Sequence, residues 1–375
     1  MLVRVLAAQT LFLLAAAMPV APTPAGEPSL TGQAAVLMDA RTGQLLYEKN
    51  AFLQMDPAST TKMMTALLVI EHGHLNRLVK ISKRADYTTG SSLHIRRDQV
   101  YTRMDLLKGL LLRSGNDASV ALAESEAGTV ERFVAQMNVR AQQLGAFNTA
   151  YENTHGLTRP GHYSSAYDLA LIARAALKHP LFQQIVRSQE LDIMEQTHHK
   201  KRRISTTNQL LYGFPGADGV KTGTTNAAGK CVVASATRDG RQLIAVILKS
   251  SGRWEDASQL LNWGFSAWQP LRAAQAGAVV TRRPVENAAR RVHFVGLEPH
   301  QSLWTEVPTE APAKLWVAAP SALHAPLRTG RRVGFLTVEV PGQPPERVAL
   351  YPERNVSARP LERAWEWFFH RSQPR

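Results

Sequence analysis

The sequence has a single cysteine, Cys231, so no disulfide can close within the chain and the fold must rest on a buried core. Cys231 lies in the apolar run Cys231-Val232-Val233-Ala234, where a small buried strand residue is expected rather than a nucleophile. Past the N-terminus no apolar stretch is long enough to cross a bilayer. No internal repeat or low-complexity segment is present, which excludes a repeat array. The twelve histidines show no H-E-x-x-H or comparable ligand spacing, so neither zinc nor any other cofactor is implied. From residue 271 onward aspartate is missing and Lys314 is the only lysine. Acidic residues are scarce throughout, 30 against 44 Lys and Arg, which gives a formal net charge of +14. That excess favours anionic partners such as membrane surfaces or acidic polymers. Nucleic acid ranks last among them, because no nucleic-acid-reading motif is recognisable.

What is present begins with an export pattern. Arg4 precedes a mostly apolar Val5 to Val20, followed by small residues and prolines. This is the order of a secretory signal peptide over residues 1–25, with Ala17 and Ala25 both open as cleavage points. The 375-residue length suggests two domains. Ala34 to Glu48 reads as a hairpin about the turn Asp39-Ala40-Arg41-Thr42-Gly43. A buried helix follows from Ser59 to His72-Gly73, then loops and short strands between Ile81 and Tyr101. Met104 to Leu112 is helical and breaks at Ser114-Gly115-Asn116, and a second helix opens at Asp117. Thr129 to Leu144 and Ala166 to Leu177 carry apolar residues at helical spacing. The pattern then turns to strand at Gly219 to Gly223, Lys230 to Ala236 and Leu243 to Leu248, and back to helix from Trp254 to Trp268. This order fits an α+β fold in which an antiparallel sheet packs with helices. Beyond residue 271, short candidate strands at Ala278 to Thr281, Arg291 to Val295, Ala313 to Val317 and Arg332 to Val340 alternate with proline-containing breaks, as in a small β domain. In the tail, Leu361, Ala364, Trp365, Phe368 and Phe369 follow a helical apolar stripe flanked by arginine, which suits either an interfacial membrane helix or a docked helix.

Three short motifs carry chemistry. Ser59 and Lys62 stand three apart, so their side chains share one helical face. A serine hydroxyl needs a neighbouring base, and a lysine amine is one when desolvation or a second cation lowers its pKa. Ser114-Gly115-Asn116 places a proton-relay hydroxyl and an amide at a break between helices. Lys221-Thr222-Gly223 ends a strand with a fixed positive charge, a hydroxyl donor and a residue without a side chain, which lets a substrate backbone approach. Each motif alone is common: a capped helix, a turn, a basic strand end. Their joint order, S-x-x-K, S-x-N, K-T-G, is that of the penicillin-recognising serine acyltransferases.

Together with Met55 to Thr65, Leu112 to Ala118, Thr154-His155-Gly156-Leu157 and Gly219 to Thr225, these motifs make the chain resemble the low-molecular-mass penicillin-binding proteins, the D-alanyl-D-alanine carboxypeptidases of peptidase family S11. The resemblance covers nearly everything after the signal peptide. It implies a β-lactamase/transpeptidase-like serine acyltransferase domain over 26–270, a small all-β domain over 271–352, and a C-terminal amphipathic membrane-anchor helix over 353–375. It implies Ser59 as nucleophile, Lys62 as the neutral amine that takes its proton, and Ser114 and Asn116 as aids to proton return. Lys221, Thr222, Gly223, Thr224 and Arg253 would bind substrate: the backbone N–H groups of Ser59 and Thr224 would hold the oxyanion, and Thr222 and Arg253 the terminal carboxylate. Peptidoglycan stem peptide is the implied substrate, β-lactams the covalent inhibitors, and the outer face of the cytoplasmic membrane the location.

Two rival readings share these residues. A β-lactamase needs a glutamate to activate water for deacylation, and Glu190 and Glu195 lie between the second and third motifs, though neither has the expected context. A non-catalytic cell-wall scaffold has no need to keep every catalytic position filled, as this chain does.

Overall fold

The computed structural model describes residues 26–289 and 292–359. The signal peptide expected over 1–25 and the helical stripe expected within 360–375 lie outside the described residues.

The expected hairpin is formed by β1 (Ala34–Asp39) and β2 (Leu45–Lys49). Asp39 Oδ1 fixes its turn by accepting the Thr42 N–H at 2.7 Å and the Thr42 hydroxyl at 2.8 Å. A 3-10 turn, Ala58–Thr61, leads into α1 (Lys62–His72). Lys62 to Val69 are all buried, as an apolar circumference requires. Each fully buried Met, Leu or Val there contributes roughly 1.5–3 kcal/mol.

β3 (Leu78–Lys80), the one-turn α2 (Lys83–Asp86) and β4 (Val100–Thr102) occupy the stretch before α3 (Arg103–Leu112) and α4 (Asn116–Ala127). The Thr102 hydroxyl caps α3 by accepting the Asp105 N–H at 3.0 Å. Thr129 and Ser165 cap α5 (Val130–Gln143) and α6 (Ala166–Ala176) in the same way. Next come α7 (Pro180–Val186) and a ribbon of β5 (Glu190–Glu195) with β6 (Lys200–Ser205), neither of which the sequence pattern signals. Its period-2 alternation is confined to Glu190-Leu191-Asp192-Ile193, and β6 opens with four basic residues, so the apolar signal is short.

β7 (Ala217–Thr225), β8 (Gly229–Arg238) and β9 (Arg241–Ser250) form an antiparallel meander, followed by α8 (Arg253–Ala267). The main sheet runs β2-β1-β9-β8-β7, so β7 is an edge strand. Helices α6 and α8 pack on this sheet, and α1 packs against α3, α4, α5 and α6. A second, four-stranded sheet runs β3-β4-β5-β6.

The remaining strands are β10 (Trp268–Ala274), β11 (Thr281–Glu286), β12 (Phe294–Pro299), β13 (Leu303–Pro308), β14 (Lys314–Ala318), β15 (Leu323–His324), β16 (Gly334–Glu339) and β17 (Glu346–Pro352). The described residues fall into two compact units: 26–275 with Ser302–Glu310, and Ala276–Gln301 with 311–359. The composition change at 271 therefore does not coincide with the packing boundary. β10 runs past it and pairs with β13, Trp268 facing Pro308, and Arg241 on β9 reaches Glu306 on β13 at 2.5 Å. The smaller unit is all-β, with strand order β14-β16-β17-β12-β11-β15 and a core that includes Val295, Leu297, Leu336, Val338 and Leu350. Residues 353–359, expected within the tail helix, are not helical and make isolated bridges from Val356 to Leu327 and from Ala358 to Ala288.

Candidate active site

Ser59 and Lys62 are aligned by the 3-10 turn rather than by an α-helical one. At three residues per turn, positions i and i+3 eclipse. Lys62 Nζ accordingly lies 2.8 Å from Ser59 Oγ. Ser59 is half-buried, while Lys62 is fully buried at the root of α1.

Two further acceptors complete the surroundings of the amine: Asn116 Oδ1 at 2.7 Å and the His155 carbonyl oxygen at 2.8 Å. Neither carries a proton to give. As an ammonium Lys62 would donate to all three oxygens; in its neutral form it can give its two N–H bonds to Asn116 and His155 and turn its lone pair to the Ser59 hydroxyl. Burial favours that neutral form first, and the nearby Lys221 ammonium adds to it, so the Lys62 pKa falls well below the ordinary lysine range. Asp117 acts in the opposite direction, more weakly.

Asn116 is itself held. Its Nδ2 donates to the Thr89 carbonyl at 2.6 Å, and its backbone N–H to Ser91 O at 2.7 Å. Ser114, two residues before it, has φ +62° and a buried hydroxyl with no hydrogen-bond partner. A side-chain residue in the left-handed region and an unpaired buried oxygen are both costly, and both occur at functional sites.

The third motif lies on edge strand β7. A Cβ at Gly223 would stand 2.9 Å from the Ser59 backbone nitrogen and 3.0 Å from Ala58 Cβ, so glycine allows β7 to approach Ser59. Lys221 is buried, donates to Thr222 O at 2.9 Å, and has its pKa lowered to about 7 by burial and then by Arg253. Arg253, at the start of α8, donates to Gly223 O at 3.0 Å, Thr224 Oγ1 at 3.0 Å and Cys231 O at 3.2 Å. Thr222 Oγ1 lies 2.7 Å from Thr207 Oγ1. The three cations thus form a series, Arg253 depressing Lys221 and Lys221 depressing Lys62.

The sequence reading misses the part played by the 153–157 turn. Asn153 Oδ1 accepts the Gly156 N–H at 2.7 Å, and Asn153 Nδ2 donates to Leu157 O at 2.8 Å. The Thr154 carbonyl accepts hydroxyls from Thr65 on α1 and Ser119 on α4, each at 2.7 Å. These bonds aim the His155 carbonyl at Lys62. His162 supports the same corner. Its Nδ1 accepts the Glu152 N–H at 3.0 Å, so its Nε2 carries the proton and donates to Thr61 Oγ1 at 3.0 Å. Burial lowers His155 to about 3 and His162 to about 4, so both stay neutral in the ordinary range. The acceptor that matters is a backbone carbonyl, which no residue type announces.

The glutamates raised by the β-lactamase reading are otherwise engaged. Glu195 is buried and accepts backbone N–H groups of Thr197 at 2.8 Å and His198 at 2.9 Å. Glu190 is exposed and pairs with Arg203 at 3.7 Å.

Comparison with known proteins gives the same picture. The family model described as D-alanyl-D-alanine carboxypeptidase matches residues 21–252. The chain is similar to the D-alanyl-D-alanine carboxypeptidase DacF of Bacillus subtilis, 33% identical over 83% of this chain and 82% of that one. It is likewise similar to DacC of Escherichia coli, 33% identical over 88% and 85%. Among solved structures, penicillin binding protein 5 from Haemophilus influenzae superposes with a TM-score of 0.76 at 30% identity, covering 88% of this chain and 98% of the other. With its serine, lysine and asparagine in contact and its match running through all three motifs, this chain belongs to the D-alanyl-D-alanine carboxypeptidase family.

Proposed function

We propose that the protein is a serine D-alanyl-D-alanine carboxypeptidase that trims the terminal D-alanine from peptidoglycan stem peptides through a Ser59 acyl-enzyme. The observation that carries this reading is the buried Lys62 amine, 2.8 Å from Ser59 Oγ and held by Asn116 Oδ1 and the His155 carbonyl. Ser59 Oγ attacks the carbonyl between the two D-alanines as Lys62 takes its proton. The oxyanion is met by the backbone N–H groups of Ser59 and Thr224, where fixed donors are worth most. The C–N bond then breaks. The leaving amine receives a proton through the network of Lys62, Ser114 and Asn116, with Lys221 as supporting charge. Water adds to the acyl carbon and frees Ser59 and the shortened peptide. Edge strand β7 offers the substrate a free backbone edge, as in strand addition. Thr222 and Arg253 take the terminal carboxylate. A β-lactam acylates Ser59 by the same attack, which makes it a covalent inhibitor.

The catalytic work is assigned to the 26–270 region. Export by residues 1–25 and attachment to the outer face of the cytoplasmic membrane by the C-terminal residues complete the reading. Its support is the N-terminal charge and apolar pattern, the aromatic and arginine stripe of the tail, and the net charge of +14. Among the described residues no helix is long and apolar enough to cross a membrane.

The test is D-alanine release from a peptide ending in D-Ala-D-Ala, with the full chain and with Ser59→Ala. Release that disappears in the variant is expected. Folded wild-type protein that releases no D-alanine would overturn the carboxypeptidase assignment.

A further inference from the structure

The catalytic steps leave a basic cavity beside the second motif unused. Its volume is about 270 Å³, and its lining includes Ser92, His94, Arg113, Arg202 and Arg203 but no carboxylate. The three guanidinium groups differ in how they are compensated. Arg203 meets Asp192 at 3.2 Å and Glu190 at 3.7 Å. Arg202 donates only to a neutral acceptor, the Leu93 carbonyl, at 2.6 Å. Arg113 is exposed, and its side chain pairs with no described residue. Among the described residues neither of these two guanidinium groups has a carboxylate within ion-pair distance; the buried Asp117 lies behind the wall, where it accepts the Ser92 hydroxyl at 2.7 Å and the Leu93 N–H at 2.9 Å. Arginine's planar fork suits bidentate capture of a carboxylate.

The cavity adjoins the catalytic machinery through shared backbone. Arg113 directly precedes Ser114. Ser92, Leu93 and His94 wall the cavity, and the residues just before them seat Asn116 through Thr89 O and Ser91 O. A concavity of about 270 Å³ has room for the end group of a side chain.

We propose that this cavity is a subsite for a side-chain carboxylate on the acyl part of the substrate, upstream of the D-alanine that acylates Ser59. The inference rests on the carboxypeptidase reading, in which Thr222 and Arg253 already account for the terminal carboxylate. A second carboxylate on the acyl side is therefore selected by Arg113 and Arg202, and its carboxamide counterpart is disfavoured.

The experiment compares D-alanine release from peptides ending in X-D-Ala-D-Ala, in pairs identical except that the X side chain ends in carboxylate or carboxamide. X spans two to about four methylenes. The readout is the ratio of kcat/KM within each pair, so the uncharged peptide reports separately on the carboxypeptidase reading. Wild-type protein should prefer at least one carboxylate peptide by about tenfold, equivalent to about 1.4 kcal/mol. Arg113→Gln should bring the ratio close to one and Arg113→Glu should invert it. Among the described residues the Arg113 side chain makes no hydrogen bond or ion pair, so these substitutions break none. Arg132→Gln removes an equal charge from the exposed face of α5 and should leave the ratio unchanged. Wild-type release of D-alanine with equal efficiency from both members of every pair would overturn the subsite while leaving the carboxypeptidase reading intact. So would a preference that survives both Arg113 variants, or one that Arg132→Gln lowers as much as Arg113→Gln does. The latter result would identify the general field of a basic protein.

Discussion

Replacing Gly156 with alanine separates positioning of the base from backbone strain. Gly156 has φ +91°, and a Cβ there would stand 1.7 Å from the Ala58 carbonyl oxygen, 2.3 Å from its carbon and 2.9 Å from Thr61 Oγ1. Restoring even a 3.0 Å separation from that oxygen requires 3.0 − 1.7 = 1.3 Å of movement. The nearest neighbour is backbone, and Thr61 is tied to His162, so no flexible side-chain end can absorb the shift. Ala58 precedes Ser59, and His155 precedes Gly156. The movement therefore falls on Ser59 or on the carbonyl that holds Lys62. A displacement near 1 Å at a reacting centre costs on the order of 100-fold in rate. The left-handed backbone adds roughly 1–2 kcal/mol of destabilisation for an alanine. Gly128→Ala supplies the control: φ is +79°, and no heavy atom lies within 4 Å of the added Cβ. The assay is the second-order rate constant for covalent labelling of Ser59 by a fluorescent penicillin, read beside urea midpoints. Both variants should lose stability, and only Gly156→Ala should lose rate. Gly156→Ala labelling within roughly threefold of wild type, while as destabilised as Gly128→Ala, would refute the role given to the 153–157 turn.

Two further predictions concern buried charge. The labelling rate should rise with pH as Lys62 loses its proton. Lys221→Ala should move that rise to higher pH, because the second cation that favours a neutral Lys62 is gone. An unmoved profile would exclude the coupling, and the histidines cannot substitute for it, since His155 and His162 stay neutral above about 3 and about 4. At β13, burial raises Glu306 to about 7, against the lowering effect of Arg241, and Asp39 adds to the rise. A carboxyl whose folded pKa lies above its unfolded value contributes stability that is complete below the unfolded value and is lost as pH climbs through the folded one. Relative to Glu306→Gln, wild-type stability should therefore fall between pH 5 and pH 8, on the order of 1–2 kcal/mol once solvent screening is allowed for. Parallel urea midpoints for the two proteins across that range would show that Glu306 does not titrate there.

The sequence alone placed Ser59 beside Lys62, because an i, i+3 pair at a helical start shares one face whatever the rest of the chain does. It also determined the local elements whose signals are local: the Asp39 turn, the helices with apolar spacing, and the two apolar strands that became β8 and β9. The three motifs in order announced the family, but not how they meet. Tertiary structure alone decided that Gly223 lies against the Ser59 nitrogen and that Lys221, on another element, depresses Lys62. It alone brought the His155 carbonyl to Lys62, a contact 93 residues apart in sequence. The polar β5–β6 ribbon was illegible for a related reason: it carries little apolar alternation, and part of its pairing is with β4, distant in sequence. The β10–β13 pair crossed a compositional boundary because a strand follows its hydrogen-bonding partner, not its residue usage. A pattern of residue types records what each position can offer. Which backbone oxygen or distant charge receives the offer depends on long-range packing, and Lys62 becomes a base only where burial and those partners converge.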